Sequence, residues 1–393
     1  MEDQLLLFED EEIPLYQLFE AYYDCRRHKR KTKEAIAFER DLEVNLIQLW
    51  AEINHGTYRI GPSSVFIVDS PVKREIFAAG FRDRIVHHLL VRLIGPVIEH
   101  RLIYDCYACR DGKGTSLGIE RLRHAMASCS NNYQTPAWVL KLDVHGFFMS
   151  IDRRILWKNL KKYLVANYQG PALRRVLMLC HQVLTHDPVK DCIYRCQRQR
   201  WKGLPASKSL FHVRKGCGLP IGNLTSQVFA NFYMSYLDHY VKHDLKIRWY
   251  GRYVDDFYLV HPDRAYLVDC MHKIARFLKQ ELHLSLNEKK KYLQPATHGV
   301  KFLGTSIQPF HTNMSRRIIR GAFASVTSFN HLNHAHRLNR RELRHLRSSV
   351  NSYLGMMTHY QTYRIRVSLI AHIEPRVMAR LKVPRAISKV GFS

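Results

Sequence analysis

The sequence predicts an α+β fold in which a strand-bearing middle lies between helical segments at both ends. Three observations predict it. Apolar residues recur at helical spacing near the two ends, and short β-branched and aromatic runs bounded by turn residues fill the middle. The 393 residues, 46% of them apolar, can bury one large core or two to three compact subdomains.

In chain order, residues 13–55 read as helical, with Leu15, Leu18, Phe19 and Tyr22 on one face and a basic run from Arg26 to Lys33 that is solvated surface unless it faces a groove. Residues 65–80 read as extended, from Val65-Phe66-Ile67-Val68 through Pro71 to Ile76-Phe77. A helical pattern from Arg82 to Ile98 is expected to end near Gly95-Pro96, because proline lacks an N–H and crowds the preceding turn. Leu140-Lys141-Leu142-Asp143-Val144 is a buried-type strand ending on a carboxylate. Asp152 is placed to cap a helix carrying Ile155, Leu156, Leu160 and Leu164. Residues 186–217 are polar, basic and interrupted by proline, and read as a loop or an inserted hairpin. Gly222 opens a further helix with Leu224, Val228, Phe232 and Tyr236 on one face. Arg248–Tyr253 and Phe257–Val260 form a hairpin whose link holds Asp255 and Asp256, and Lys301–Ile307 is one more strand. Beyond residue 315 the chain is helical and basic, with the stripe Leu343, Leu346, Val350, Tyr353 and Leu354.

The 61 Lys and Arg against 34 Asp and Glu leave a formal charge of +27. That excess repels itself in a compact chain, and a polyanion relieves it, so nucleic acid is the first candidate partner. The opening MEDQLLLFEDEE is acidic and unlike a signal peptide, and no apolar run is long enough to span a membrane, so an intracellular, cytoplasmic place and no membrane partner are expected. The nine cysteines read as reduced thiols. A zinc site would need four ligands; Cys106 with Cys109, and Cys192 with Cys196 near His212 and Cys217, are the pairs from which one would be built.

Asp143 at a strand end and Asp255-Asp256 in a hairpin link are acids set in apolar runs, where an unpaired carboxylate is expensive to bury. Asp is common in turns, so the pair alone carries little weight. Nucleotidyl transfer supplies a reason for all three. Two Mg²⁺ ions stabilise the attacking 3′-oxygen and the leaving pyrophosphate, and hard cations take carboxylate ligands.

Seven motifs follow one another from about residue 60 to 310. They are Lys73-Arg74-Glu75-Ile76-Phe77; Phe81-Arg82-Asp83-Arg84-Ile85-Val86; Leu142-Asp143 with Phe147-Phe148; Gly218-Leu219-Pro220-Ile221-Gly222-Asn223-Leu224-Thr225-Ser226-Gln227; Tyr253-Val254-Asp255-Asp256; Leu286-Asn287-Glu288-Lys289-Lys290; and Phe302-Leu303-Gly304. This series resembles the reverse transcriptases. Most of that family carry Gln-Gly-x-x-x-Ser-Pro where this chain has Ile221 for the Gln and Gln227 for the Pro, a variant similar to the reverse transcriptases of diversity-generating retroelements. The inserted Leu204-Pro205 and Lys208-Ser209-Leu210-Phe211 also look like that subfamily.

The resemblance implies a right-hand polymerase: fingers with an N-terminal helical segment over 1–130, a palm of antiparallel sheet with packed helices over 131–312 bearing the insert near 186–217, and a helical thumb over 313–393. It implies a bacterial or phage-encoded RNA-directed DNA polymerase that copies a template-repeat RNA into cDNA with adenine-directed errors for mutagenic retrohoming. Its partners would be template RNA, cDNA or primer, dNTPs and a basic pentameric accessory variability protein. Two Mg²⁺ ions, with Mn²⁺ as substitute, would be held by Asp143, Asp255 and Asp256, with the Val144 backbone carbonyl as a further ligand. Phe148 would sit under the incoming sugar and exclude a 2′-hydroxyl; the plainer reading is a core phenylalanine following a strand. Lys73 and Arg74 would hold triphosphate; otherwise they are two exposed basic residues. Arg82, Arg84 and the bend Arg110-Asp111-Gly112-Lys113-Gly114 are further candidates for nucleotide or template. Gly222 and Gln227 would line the nucleotide site beside Ile221, which can only pack where a Gln would hydrogen-bond near the nascent base pair. Lys290 would donate a proton to pyrophosphate, with Lys289 and Lys291 competing for the role. Phe302, Leu303 and Gly304 would form the primer grip. A group II intron-like or retron-like reverse transcriptase is the alternative enzyme; the room after residue 315 and the residues Ile221 and Gln227 count against the intron type. A non-catalytic RNA-binding relative is the alternative outside enzymes, and the three aspartates count against it.

Overall fold

The structure, a computed structural model, describes residues 11–27, 32–69, 72–384 and 386–392. Residues 28–31 of the basic run, and Pro71, lie outside the described residues. The chain forms helices α1 (Leu15–Arg26), α2 (Lys33–Glu39) and α3 (Leu42–Asn54), strands β1 (Ser63–Val68) and β2 (Arg74–Ala78), helices α4 (Phe81–Arg101) and α5 (Thr115–Cys129), strand β3 (Trp138–Asp143), helices α6 (Phe147–Ser150), α7 (Arg153–Asn167) and α8 (Leu173–Thr185), strand β4 (Cys192–Tyr194), helix α9 (Leu224–His239), strands β5 (Trp249–Tyr253) and β6 (Asp256–His261), helix α10 (Arg264–Glu281), strands β7 (Tyr292–Pro295), β8 (Val300–Phe302), β9 (Thr305–Gln308) and β10 (His311–Met314), and helices α11 (Arg316–Ala335), α12 (Arg340–Met357), α13 (Tyr363–Ala371) and α14 (Pro375–Met378). The main sheet has the order β5-β6-β3-β7, beside separate sheets β2-β1-β4 and β10-β9-β8. The mixed helix and sheet architecture agrees with the expected α+β class.

Two compact units divide the chain. One takes Met1–Gly114, Leu140–Leu259 and Ala265–Tyr292; the other takes Thr115–Val139, Val260–Arg264 and Leu293–Ser393. In the first unit α4 packs against α1 and α9. It runs through Gly95-Pro96 to Arg101, past the expected end. Ile94 and Ile98, on either side of the proline, are buried, and their burial offsets the roughly 3 kcal/mol an interior proline costs. Asp152 caps α7 as expected, accepting from the Arg154 and Ile155 N–H groups, and Leu156, Leu160 and Leu164 are buried. In contrast, α9 is not amphipathic. Phe229, Ala230, Asn231, Phe232, Tyr233, Met234, Leu237 and Asp238 are all buried, while Leu224, Val228 and Tyr236 of the expected face are only partly so. Its helix begins after Gly222, at Leu224 with Asn223 before it.

The insert is neither a hairpin nor a plain loop. Its strand β4 pairs parallel to β1, with Ser63 opposite Cys192, and three 3₁₀ turns follow at Arg198–Trp201, Ala206–Lys208 and Leu210–His212. Glu75 anchors it: this fully buried carboxylate on β2 accepts from Trp201 Nε1 at 2.6 Å, Ser209 Oγ at 2.8 Å and the Leu210 N–H at 2.6 Å. Three donors on its two oxygens satisfy it without a cation.

In the second unit the expected single strand 301–307 is two strands, β8 and β9, folded at Leu303-Gly304, where both residues have positive φ (+46° and +83°). The stripe on α12 is buried at Leu343, Leu346, Val350 and Leu354, with Tyr353 packed at its edge and Val326 and Phe329 of α11 in the same cluster. A capping box of Asn339 and Glu342 starts α12.

Candidate active site

Strand β3 carries Asp143 to its end, where the side chain is nearly buried, 7% exposed. The segment after α10 holds it from two sides. Asn287 donates its N–H to the Asp143 carbonyl at 2.8 Å and its Nδ2 to Oδ1 at 3.0 Å. The same side chain accepts from the Lys289 N–H at 3.3 Å, capping the short turn Glu288–Lys290. That turn sets Lys290 Nζ on Asp143 Oδ2 at 2.6 Å. Of the three competing lysines, then, Lys290 meets the carboxylate, while Lys291 pairs with Glu288 at 2.6 Å.

The hairpin link is shorter than expected. Strand β6 starts at Asp256, so only Val254 and Asp255 connect β5 to β6. Val254 has φ +58°, a conformation that β-branched residues rarely adopt. The Val144 N–H donates to the Asp255 carbonyl at 3.1 Å, tying the link to the residue after Asp143. Val144 is itself buried and bridges to Leu286.

Burial pushes the Asp255 carboxyl up to about 6, and the charges of Asp143 and Asp256 push in the same direction. Burial likewise pushes Asp256 up to about 6, against the pull of Lys141, whose Nζ lies 3.1 Å from Oδ2. The other oxygen, Asp256 Oδ1, is buried with no hydrogen-bond partner. Burial works against the charge on Lys290, but its bond and attraction to Asp143 and the fields of Asp255 and Asp256 hold the ammonium above its usual range.

This donor set fits a hard divalent cation. The charge of Asp143 bears on both Asp255 and Asp256, one buried oxygen is orphaned, and an ammonium already sits on Asp143. Among the described residues no group of three His, Cys, Asp or Glu side chains is placed to hold a metal ion; Asp143 and Asp256 are each paired with a lysine ammonium. The cysteine pairs form no such cluster either. Cys106 is buried, with Arg252 Nη2 3.4 Å from its sulfur, and Cys109 is exposed.

Other expected residues divide into those that gather here and those that do not. Arg74, exposed at the start of β2, acts on the Tyr253 phenol, where burial raises the pKa and the guanidinium opposes it. Lys73 turns instead to the insert and donates to the Lys202 carbonyl at 2.9 Å. Phe148 lies edge-on to Phe147 and packs, with Ile221, Trp201 and Phe211, on a cluster of Val65, Phe77, Met149 and Leu210. The Ile221 carbonyl accepts from the Phe77 N–H at 2.8 Å. Gly222 follows at φ +128°, and a Cβ there would stand 2.8 Å from the Phe77 carbonyl oxygen. Only glycine lets β2 approach so closely. Gln227 is exposed on α9. Arg82 pairs with Glu52, and Arg110 pairs with Glu99 and donates to the Ile103 and Cys106 carbonyls at 2.7 and 2.8 Å. Phe302, Leu303 and Gly304 form the β8–β9 turn of the second unit.

Four residues that lie in the quoted motifs and strands, but were given no role there, take part in this geometry: Asn287, Lys141, Glu75 and Arg252. Arg252 carried a usable signal, a charge inside a strand two residues ahead of the link.

The sequence pattern of the family described as reverse transcriptase (RNA-dependent DNA polymerase) matches residues 73–307. No curated protein sequence matches the chain. Solved structures similar to it include the apo telomerase of Candida tropicalis truncated from its C-terminal domain, with 11% identity and a TM-score of 0.47 over 65% of this chain and 55% of that one. Another is the telomerase of Candida albicans in complex with the TWJ fragment of telomeric RNA, with 12% identity and a TM-score of 0.47 over 80% of this chain and 60% of that one. The chain thus spans little more than half the length of these structures. Among the described residues no helix is long and apolar enough to cross a membrane.

Proposed function

We propose, from the premise that this chain belongs to the reverse transcriptase (RNA-dependent DNA polymerase) family, that it copies RNA into DNA at Asp143, Asp255 and Asp256. The observation that carries the reading is the placing of Asp143 beside the half-buried link of Asp255 and Asp256, where burial and the charge of Asp143 raise the proton affinity of both link carboxylates and Lys290 pairs with Asp143. Asp143 and Asp255 would hold two Mg²⁺ ions, or Mn²⁺ in their place, with Asp256 and the Val144 carbonyl as auxiliary groups. Bound there, the ions supply charge for the attacking 3′-oxygen and the leaving pyrophosphate.

The chain's own residues then have separable tasks. Asn287 keeps Asp143 oriented. Lys290, protonated and within reach of Asp143 Oδ2, is the proton source for pyrophosphate. Arg74 offers a fork to triphosphate, and Lys73 joins it on leaving Lys202. Phe148 limits the sugar to deoxyribose. The chain would be divided into fingers over 1–130, palm over 131–312 and thumb over 313–393, with Phe302, Leu303 and Gly304 supporting the primer. The net charge of +27 suits a template–primer duplex of any sequence.

The subfamily reading rests on Ile221 and Gln227. Ile221 offers its side chain to an apolar cluster and its carbonyl to β2, so it has no polar group for a nascent base pair. That supports a diversity-generating enzyme making adenine-directed errors on a template-repeat RNA, with a basic pentameric accessory protein as partner. The test is extension of a DNA primer on an RNA template with dNTPs and Mg²⁺. Extension that D143N abolishes is expected; no extension in any primed format would leave an RNA-binding relative as the reading.

A further inference from the structure

Two residues before the Val254-Asp255 link, β5 carries an arginine with no exposure at all. Arg252 and Asp238 of α9 are each 0% exposed. Arg252 Nε donates to Asp238 Oδ1 at 2.7 Å and Nη2 to Oδ2 at 2.6 Å, and the Tyr250 hydroxyl donates to the same Oδ1 at 2.7 Å. Stability alone does not explain such a pair, because well-packed apolar residues of similar volume often serve as well. The remaining donor points elsewhere. Arg252 Nη1 donates to the Val254 carbonyl at 3.0 Å and to Asn231 Oδ1 at 3.2 Å.

Val254 is the β-branched residue at φ +58°. Such a conformation persists only where the surroundings over-determine it. Here the carbonyls of both link residues are held. Arg252 takes that of Val254, and the N–H of Val144, next to Asp143, takes that of Asp255. The backbone of Arg252 is in turn held on both sides. Its N–H donates to the Asp105 carbonyl at 2.9 Å, its carbonyl accepts from the Tyr107 N–H at 2.9 Å, and Asn231 Nδ2 donates to the Ala108 carbonyl at 2.8 Å. Helix α9, strand β5 and the 105–108 segment therefore meet on one guanidinium, and that guanidinium grips the link. A planar fork can bind a carboxylate with one edge and a carbonyl with its other nitrogen, which an ammonium cannot do in this geometry.

We infer that Arg252, locked by Asp238, is a positioning residue for nucleotidyl transfer, fixing the Val254-Asp255 link so that Asp255 is presented beside Asp143. This rests on the polymerase reading above. The test compares wild type with Arg252→Lys, which keeps the charge and loses the fork, and with the matched apolar pair R252M/D238L. Four quantities are read: single-turnover extension across dNTP concentrations, template–primer affinity, melting temperature, and Mn²⁺ binding to the metal-free protein by calorimetry. The expected result for R252K is kcat down about a hundredfold and Mn²⁺ affinity down about tenfold. The KM for dNTP and template–primer affinity should stay near wild type, while the melting temperature of R252K falls because buried acceptors on Asp238, Asn231 and Val254 lose donors. R252M/D238L, if folded by its melting curve, should share the kcat loss; if it does not fold, R252K alone decides. Unchanged kcat and Mn²⁺ affinity in R252K overturn the inference. So does a loss of template–primer affinity as large as the loss of kcat, or a wild-type kcat in folded R252M/D238L, either of which marks a purely structural pair. If wild type itself extends no primer, the polymerase reading fails, and the Mn²⁺ measurement still decides whether Arg252 positions the carboxylates.

Discussion

Replacing Asp255 by asparagine should make the metal-free protein more stable while destroying the site. The Asp255 carboxyl is pushed from its ordinary 3.8 up to about 6, by burial first and by Asp143 and Asp256 after it. A raised carboxylate favours the folded state only while it is protonated. Its contribution is full below about pH 4 and is lost as pH rises through about 6, leaving the fold to carry a poorly accommodated charge at neutral pH. The shift corresponds to about 2–3 kcal/mol. Asparagine keeps the shape, carries no charge, and leaves Lys290 on Asp143. In urea melts with chelator at pH 8, D255N should unfold at a midpoint higher by up to about 1 M. The advantage should shrink as pH falls through 6 and vanish near pH 4. Mg²⁺ should stabilise wild type, which binds it only when folded, and leave D255N unmoved. A D255N protein no more stable than wild type at pH 8, or an advantage that does not depend on pH, would refute the claim that these carboxylates are crowded and waiting for a cation.

Three other outcomes follow from named contacts. Phe148→Ala should lower discrimination against ribonucleotides by about tenfold or more, read as the ratio of kcat/KM for dNTP and rNTP; an unchanged ratio would return Phe148 to the core. Ile221→Gln should reduce misincorporation opposite template adenine, measured by sequencing the cDNA, and an unchanged error rate there would remove Ile221 from fidelity. Gly222→Ala, whose Cβ would stand 2.8 Å from the Phe77 carbonyl oxygen and 2.9 Å from Ile76 Cγ2, should destabilise the fold by about 1–3 kcal/mol; an unaltered melting temperature would show that β2 does not need that approach.

Features set by local chemistry were legible in the sequence. Asp152 caps α7 because a short acid before an apolar-periodic run satisfies orphan N–H groups, and no distant partner is needed. Asp143 ends its strand as read, where a buried-type apolar run closes on a carboxylate. What failed was set by tertiary partners. Helix α4 continues past Pro96 because Ile94 and Ile98 are buried there, and no proline rule contains that burial. The buried side of α9 could not be told from its pattern, because α4, α7 and β5 with its Arg252 leave it little solvent to mark a face. The insert could be seen as polar and basic, but its docking depends on Glu75, 117 residues before its Cys192 strand start by chain number. The choice of Lys290 over its neighbours needed the Asn287 cap, which turns one lysine of three toward Asp143.

The central claim is that Asp143 and Asp255 form one metal-dependent centre for copying RNA into DNA. Its most direct measurement is single-turnover extension of a DNA primer on an RNA template, with Mg²⁺, for wild type, D143N and D255N at matched fold and template affinity. Wild type should extend the primer, with a loss of about a thousandfold in each variant and no further loss when the two are combined. A folded D143N or D255N protein that extends the primer at the wild-type rate would contradict it.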